Sequence, residues 1–270
     1  MSEVMFEREG SAWVPTAATR GPWGASLHGG APAALLAHVL DAVADRPGPL
    51  ARLTLDLFRP VPLAPLEVTV TPLRLGRRLA VHEAVLTADG RPLARAVSVH
   101  GDEQPIEGAV LPADALPAMP SLEMGDEQSL VAAYAAPGYR RAPDEDGLHH
   151  RLSVRRGPGE AGSGRNAAWV HLPLDLAPGV PLSPMAHLGG CSDFANGLSQ
   201  RLVQTPDAHL GFINADISLH VLRAPATTRF AMFARNEVHA GGRAIVSAEC
   251  YDEDGLLARI TQTALVMART

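Results

Sequence analysis

The stretch Ile213-Asn214-Ala215-Asp216-Ile217-Ser218-Leu219-His220-Val221-Leu222-Arg223-Ala224-Pro225 decides how this chain is read. Ile217, Leu219 and Val221 alternate with Asp216, Ser218 and His220, the period-2 pattern of a strand with one buried face. Asn214 stands where that strand begins. Asp193 lies about one helix upstream, and Gln262 lies on the last strand downstream. These three side chains are expected to meet around one water. An earlier stretch, Leu53-Thr54-Leu55-Asp56-Leu57-Phe58-Arg59-Pro60, resembles this one, and the echo predicts a chain built twice.

Working outward, Pro32 suits the first turn of a helix. Leu35, Leu36, Val39, Leu40 and Val43 then follow at helical spacing, apolar nearly all round, as a helix buried against a sheet would be. Strand-like segments follow at Leu53–Phe58, Leu66–Leu75, Leu79–Leu86 and Leu93–Val99, with a tight turn expected at Ala88-Asp89-Gly90. Pro105, Pro112, Pro117 and Pro120 mark a linker. A further strand is expected near Leu148–Val154 and a flexible loop at Gly157–Gly164. The order then repeats. His187-Leu188-Gly189-Gly190 answers His28-Gly29-Gly30, Cys191–Leu202 answers the first helix, and Ile217–Arg223 answers Leu53–Arg59. One order held at one nearly constant offset argues for internal duplication. Two such units could pair edge to edge, which removes two exposed edges. The expected division is 1–104, a linker over 105–130, and 131–270.

Composition excludes several function classes. The net charge is −6 with no lysine, so Schiff-base chemistry is out and nucleic acid is not an expected partner. Cys191 and Cys250 make no disulfide framework. No membrane-spanning run and no signal-peptide pattern are present, so a cytoplasmic protein is expected. The nearest approach to a nucleophile elbow, Gly24-Ala25-Ser26-Leu27-His28, has histidine where the second glycine belongs. Phosphate-loop, dinucleotide and zinc spacings are missing, and neither a metal nor a cofactor is expected. His187 and Cys191 are one helical turn apart, but a small cysteine in a buried helix is usually core. His149-His150 reads as an exposed loop pair and His28 as a structural residue.

Taken together, Gly29-Gly30 opening a helix, Ser192-Asp193 on a second helix, the strand from Asn214 to Pro225 and Thr261-Gln262 on the final strand resemble acyl-CoA thioesterases of type II, the TesB-like family. The resemblance implies an α+β fold, the double hotdog, with two tandem repeats of one long helix wrapped by an antiparallel sheet. It implies an acyl-CoA substrate and a water activated by an Asp, a hydroxyl residue and a Gln. Asp193 and Gln262 match two of these. Asn214 departs from the third, although an amide can also accept from or donate to water. Asp193 is expected about one turn into a helix starting near Ser183-Pro184, where a carboxylate is stabilised by about 0.3–1 kcal/mol. Backbone N–H groups at Gly29, Gly30 or Gly190 could face the thioester oxygen. The acyl chain is expected between helix and sheet, and arginines would meet the coenzyme A phosphates. A hotdog hydratase would place a histidine five residues after its Asp; Leu198 stands there. Two alternatives remain: a non-catalytic acyl- or acyl-CoA-binding protein, and a thioesterase for carrier-protein-bound acyl groups. Hotdog sheets often join across subunits, so a homo-oligomer is expected.

Overall fold

The computed structural model describes residues 3–22, 24–108, 110, 119, 125–133, 146–157, 162–200, 203–204 and 209–268. Trp23, most of the proline-rich linker, residues 158–161 of the expected loop and the last two residues of the expected second helix lie outside these.

The first half runs β1 (Phe6–Glu9), β2 (Ala12–Pro15), α1 (Gly30–Asp41), β3 (Leu50–Leu57), β4 (Glu67–Leu75), β5 (Leu79–Ala88) and β6 (Arg91–Gly101). Asp89 and Gly90 both take positive φ, 49° and 71°, as a two-residue Asp-Gly hairpin turn requires. Next come β7 (Glu127–Ser129), α2 (Leu130–Ala133), α3 (Leu148–Arg151), β8 (Ser153–Arg156), β9 (Arg165–His171), β10 (Asp175–Ala177) and β11 (Val180–Pro181). The single strand expected at Leu148–Val154 is therefore a helical turn followed by a strand. The second half closes with α4 (Pro184–Ser192), α5 (Ala195–Leu198), β12 (Val203–Gln204), β13 (His209–Asn214), β14 (Asp216–Val221), β15 (Phe230–Val238), β16 (Arg243–Asp252) and β17 (Gly255–Ala268).

Among the described residues, thirteen strands form one sheet in the order β4-β5-β6-β3-β14-β17-β16-β15-β9-β8-β7, with β13 also on β17 and β12 on β13. The halves join where β3 and β14 run antiparallel. Thr54 pairs with Ser218, Leu53 with Leu219 and Leu55 with Ile217. Ile217 is the duplicate of Leu53 and Leu219 that of Leu55. Exchanging the halves therefore turns one of these pairs into the other, and a local twofold passes between Thr54 and Ser218. The inward rows, including Leu53, Leu55, Ile217 and Leu219, bury against α1 and α4 in one core.

The duplication carries two offsets rather than one. The strand pairs β4 and β15, β5 and β16, and β6 and β17 keep nearly the same separation along the chain. The helices α1 and α4 start closer together than that. The connection from helix to central strand is accordingly longer in the second half: it runs from Asp41 to Leu50 in the first, but from Ser192 to Asp216 in the second. That second connection also holds α5, β12 and β13. The shift undoes the expected match of His28-Gly29-Gly30 with His187-Leu188-Gly189-Gly190. The first glycine pair opens α1, whereas the second lies inside α4 near its C-terminal end. The expected single long helix of the second half is also broken at Asp193. Ser192 Oγ donates back to Gly189 O at 2.6 Å, a bond that competes with regular helical pairing.

Candidate active site

Two helix ends and one strand irregularity build the site. Asp193 caps the C-terminal end of α4, at the opposite end of the helix from Ser183, which is the N-cap. The expected place near the start of that helix is therefore corrected. Its carboxylate gains nothing from α4, whose C-terminal end repels negative charge. Instead it reaches the N-terminus of the neighbouring helix, α1. A Cβ added to Gly29 would lie 2.8 Å from Asp193 Oδ1, so only glycine lets the carboxylate come this close to the backbone.

The strand irregularity lies at Ala215. Asn214 pairs with Ala264 and Ser218 with Thr261, so the β13–β14 side holds one residue more than β17. This bulge separates β13 from β14. Simple alternation would put Asn214 on the outer face with Asp216, Ser218 and His220; the extra residue turns it inward. The same shift occurs at the duplicate position in β3, between Leu50 and Arg52, and turns Leu50 inward. Gln262 needs no such device, because it shares an inward row with buried Ile260 and Ala264.

The polar contacts are specific. Asn214 Nδ2 donates to Asp193 Oδ1 at 2.8 Å and to the Asp193 backbone carbonyl at 3.1 Å. Its own Oδ1 accepts from Asn196 Nδ2 at 3.0 Å, and Asn236 Nδ2 donates to Asn196 Oδ1 at 3.3 Å. His28 Nδ1 lies 2.8 Å from Asp193 Oδ2. Gln262 Nε2 donates to Ser192 O at 2.8 Å, next to Asp193, while its Oε1 is buried with no protein partner among the described residues. Burial by itself pushes the Asp193 carboxyl up. The charge and hydrogen bond of His28, the Asn214 amide and the Gly30 N–H oppose it, and the net result lies below the ordinary carboxylate range.

A cavity of about 620 Å³ opens onto this group. His28, Gly29, Asp193, Asn196 and Asn214 form its polar side, and Leu57, Phe58, Val61, Leu130, Phe212 and Met267 are among its apolar lining. The Gly29 N–H has no acceptor among the described residues. Gly30 and Gly190 do not line the cavity; they pack the two helices together. A Cβ on Gly30 would lie 2.7 Å from Gly190 O, and one on Gly189 would lie 2.6 Å from Ala37 Cβ. Asp193 and Asn214 thus meet in the cavity wall, and Gln262 reaches the neighbouring carbonyl from beneath.

Two residues were undervalued by sequence reasoning. His28 bonds directly to Asp193, although the two come from different halves of the chain. His149 is buried in α3 and lines the cavity, so the expected exposed His149-His150 loop is corrected. The signal for His28 was its place one residue before the glycine pair that opens α1. His187 is held in the core, its Nε2 accepting from the Leu172 N–H at 3.1 Å. Burial pushes the Cys191 thiol far up, which removes it as a nucleophile.

Comparison with known proteins agrees with this architecture. Solved structures that share the fold over nearly the whole chain include these three. One is a hot dog fold protein of unknown function from Alicyclobacillus acidocaldarius, with 19% identity, 98% of this chain and 96% of that chain covered, and a TM-score of 0.67. Another is the acyl-CoA thioesterase II TesB2 from Mycobacterium marinum, with 17% identity, 98% and 94% covered, and a TM-score of 0.64. The third is a tesB protein from Mycobacterium avium subspecies paratuberculosis, with 17% identity, 97% and 96% covered, and a TM-score of 0.63. No curated protein matches the chain. Residues 19–101 match the acyl-CoA thioesterase N-terminal domain and residues 112–266 the acyl-CoA thioesterase C-terminal domain, so both halves of the double hotdog are accounted for. With more than half of its length in the second match alone, the chain belongs to the acyl-CoA thioesterase family of thioester hydrolases.

Proposed function

We propose that the protein hydrolyses an acyl-CoA to the free acid and coenzyme A, with the attacking water activated at Asp193 and the group held by Asn214 and Gln262. The observation that carries this reading is a buried carboxylate, held ionised, at the wall of a largely apolar cavity and against the N-terminus of α1. The acyl chain lies along the apolar lining. The thioester carbonyl faces the Gly29 N–H, where the α1 dipole favours a developing oxyanion. Asn214 commits both amide hydrogens to Asp193, so its part is to fix the carboxylate rather than to donate to water. Gln262 lies behind the cavity lining, not in it, and its unpartnered Oε1 is suited to accept a hydrogen bond from a water that enters past Asp193. Arg59, in the cavity lining, is the arginine placed to meet coenzyme A phosphate. The division into 1–104, 105–130 and 131–270 goes with this reading, because His28 and Gly29 come from one half and Asp193, Asn214 and Gln262 from the other. A homo-oligomer joined through sheet edges and a cytoplasmic location complete it.

The test is release of free thiol from acyl-CoAs ranging from acetyl to palmitoyl, with aryl-acyl members included. Turnover by the wild type and a drop of about a hundredfold or more in a folded Asp193→Ala variant are expected. A wild type inactive on every acyl-CoA transfers the weight to carrier-bound acyl groups or to a binding role.

A further inference from the structure

One polar atom in the cavity wall has no part in the scheme so far: Nε2 of His28. The rest of that ring is fixed. It stacks on Phe194 with centroids 4.2 Å apart and planes 18° apart, and the His149 ring lies nearly parallel at 6.2 Å. Nδ1 is 2.8 Å from Asp193 Oδ2. Two lone pairs cannot face each other at that separation, so a proton lies between them. The carboxylate stays ionised, and the proton sits on Nδ1. The Gly30 N–H is directed at Nδ1 from 3.2 Å and also bears on the Asp193 carboxylate; with the proton on Nδ1, the carboxylate is the acceptor left to it. That leaves Nε2 with the lone pair. It has no partner among the described residues, and the ring lines the cavity with its side chain 15% exposed.

We propose that His28 Nε2 is the group that takes and returns the proton in thioester hydrolysis, with Asp193 as its orienting partner. This rests on the thioesterase reading above and refines it: the proton transfer assigned there to Asp193 passes to His28, and Asp193 acts on the water through that ring. Water attacks the carbonyl carbon as His28 Nε2 accepts its proton, and the carbonyl electron pair moves to oxygen, facing the Gly29 N–H. The pair returns, the C–S bond breaks, and its electrons leave on sulfur. Nε2–H then gives its proton to the thiolate, so one water is consumed and one acid and one thiol are formed. Asp193 remains ionised throughout and stabilises the imidazolium between the two transfers. A carboxylate with three donors on it and a depressed pKa is a poor base; a neutral imidazole nitrogen with its lone pair open to the cavity is a better one. The charged and titratable groups around His28 are Asp193, His149 with His150 behind it, and Arg59 elsewhere in the cavity lining.

The test is the pH profile of kcat/KM, from pH 5 to 9, for the wild type and His28→Asn on the best acyl-CoA substrate. Asparagine places an N–H where Nδ1–H stands, so it can keep the bond to Asp193 while removing Nε2. The wild type should show an acid limb, activity falling as one group protonates. His28→Asn should lose that limb and about a hundredfold or more in kcat, with KM within about threefold. His28→Asn within about threefold of the wild type in kcat, with the same limb, overturns the assignment and leaves the thioesterase reading intact. A wild-type profile without an acid limb overturns it even if the variant does not fold. A wild type inactive on all acyl-CoAs overturns both readings together.

Discussion

Asn214 gives both of its amide hydrogens to Asp193, one to Oδ1 at 2.8 Å and one to the backbone carbonyl at 3.1 Å. Where a hydroxyl residue would share itself between carboxylate and water, this asparagine places both donors on Asp193, side chain and backbone. Asn214→Asp should therefore put two carboxyls where only one can ionise. The added acid has a raised folded pKa, so its cost is absent at low pH and grows as pH rises above the ordinary carboxylate value. Thermal melts should show Asn214→Asp closer to the wild type at pH 5 than at pH 8, with activity strongly reduced at pH 8. Equal destabilisation at both pH values would argue against the shared hydrogen bond.

The glycines should separate by function. Gly189→Ala drives a Cβ to 2.6 Å from Ala37 Cβ in the helix crossing and should destabilise by about 1–3 kcal/mol. Gly29→Ala presses on the Asp193 carboxylate instead and should cost activity out of proportion to stability. Urea unfolding beside thiol-release kinetics on the two variants distinguishes them.

Gln262→Met removes one hydrogen bond, to Ser192 O, and one buried acceptor without a protein partner. These effects oppose each other, so stability should change by about 1 kcal/mol or less. On the proposed mechanism kcat should still fall by about tenfold or more, because a water contact is lost. A variant with unchanged kcat would make Gln262 a packing residue.

Acid should weaken the fold in two windows. His187 is pushed down to about 3 by burial and the nearby His171. Its folded pKa lies below the unfolded value of 6.5, so its contribution is complete above pH 6.5 and fades as pH falls toward 3. Asp193, depressed below 3.8, contributes fully above that value and loses its share as pH falls through its folded pKa. His187→Gln should flatten the stability curve between pH 6.5 and 4, while Asp193→Asn should alter it only below about pH 4. Denaturant midpoints across pH 3 to 8 provide the check.

The strands were legible because alternation is a local property. Leu53–Phe58, Leu79–Leu86 and Ile217–Val221 show their faces in sequence, and the doubled order of elements predicted one continuous sheet. The helices were less so. Small residues such as Gly189 and Gly190 look alike whether they open a helix or let two helices cross. The longer connection from α4 to β14 shows only once the elements are placed. The His28–Asp193 contact was hidden for a different reason: it joins the halves through helix packing, and no periodicity encodes which helix end faces which. The inward turn of Asn214 depends on a bulge at Ala215, a residue with no turn signal of its own.

The twofold between Thr54 and Ser218 has a further consequence. A true dimer of identical chains must write every change on both sides of its axis; a fused pair need not. Opposite Asp193, Asn214 and Gln262, at the offsets of their own elements, stand Val39, Leu50 and Ser98. The mirror position has kept the bulge and the helix crossing but carries no carboxylate at any of these three places. One end of the molecule has taken the chemistry and released the other from it, so substrate should saturate the protein at one molecule per chain.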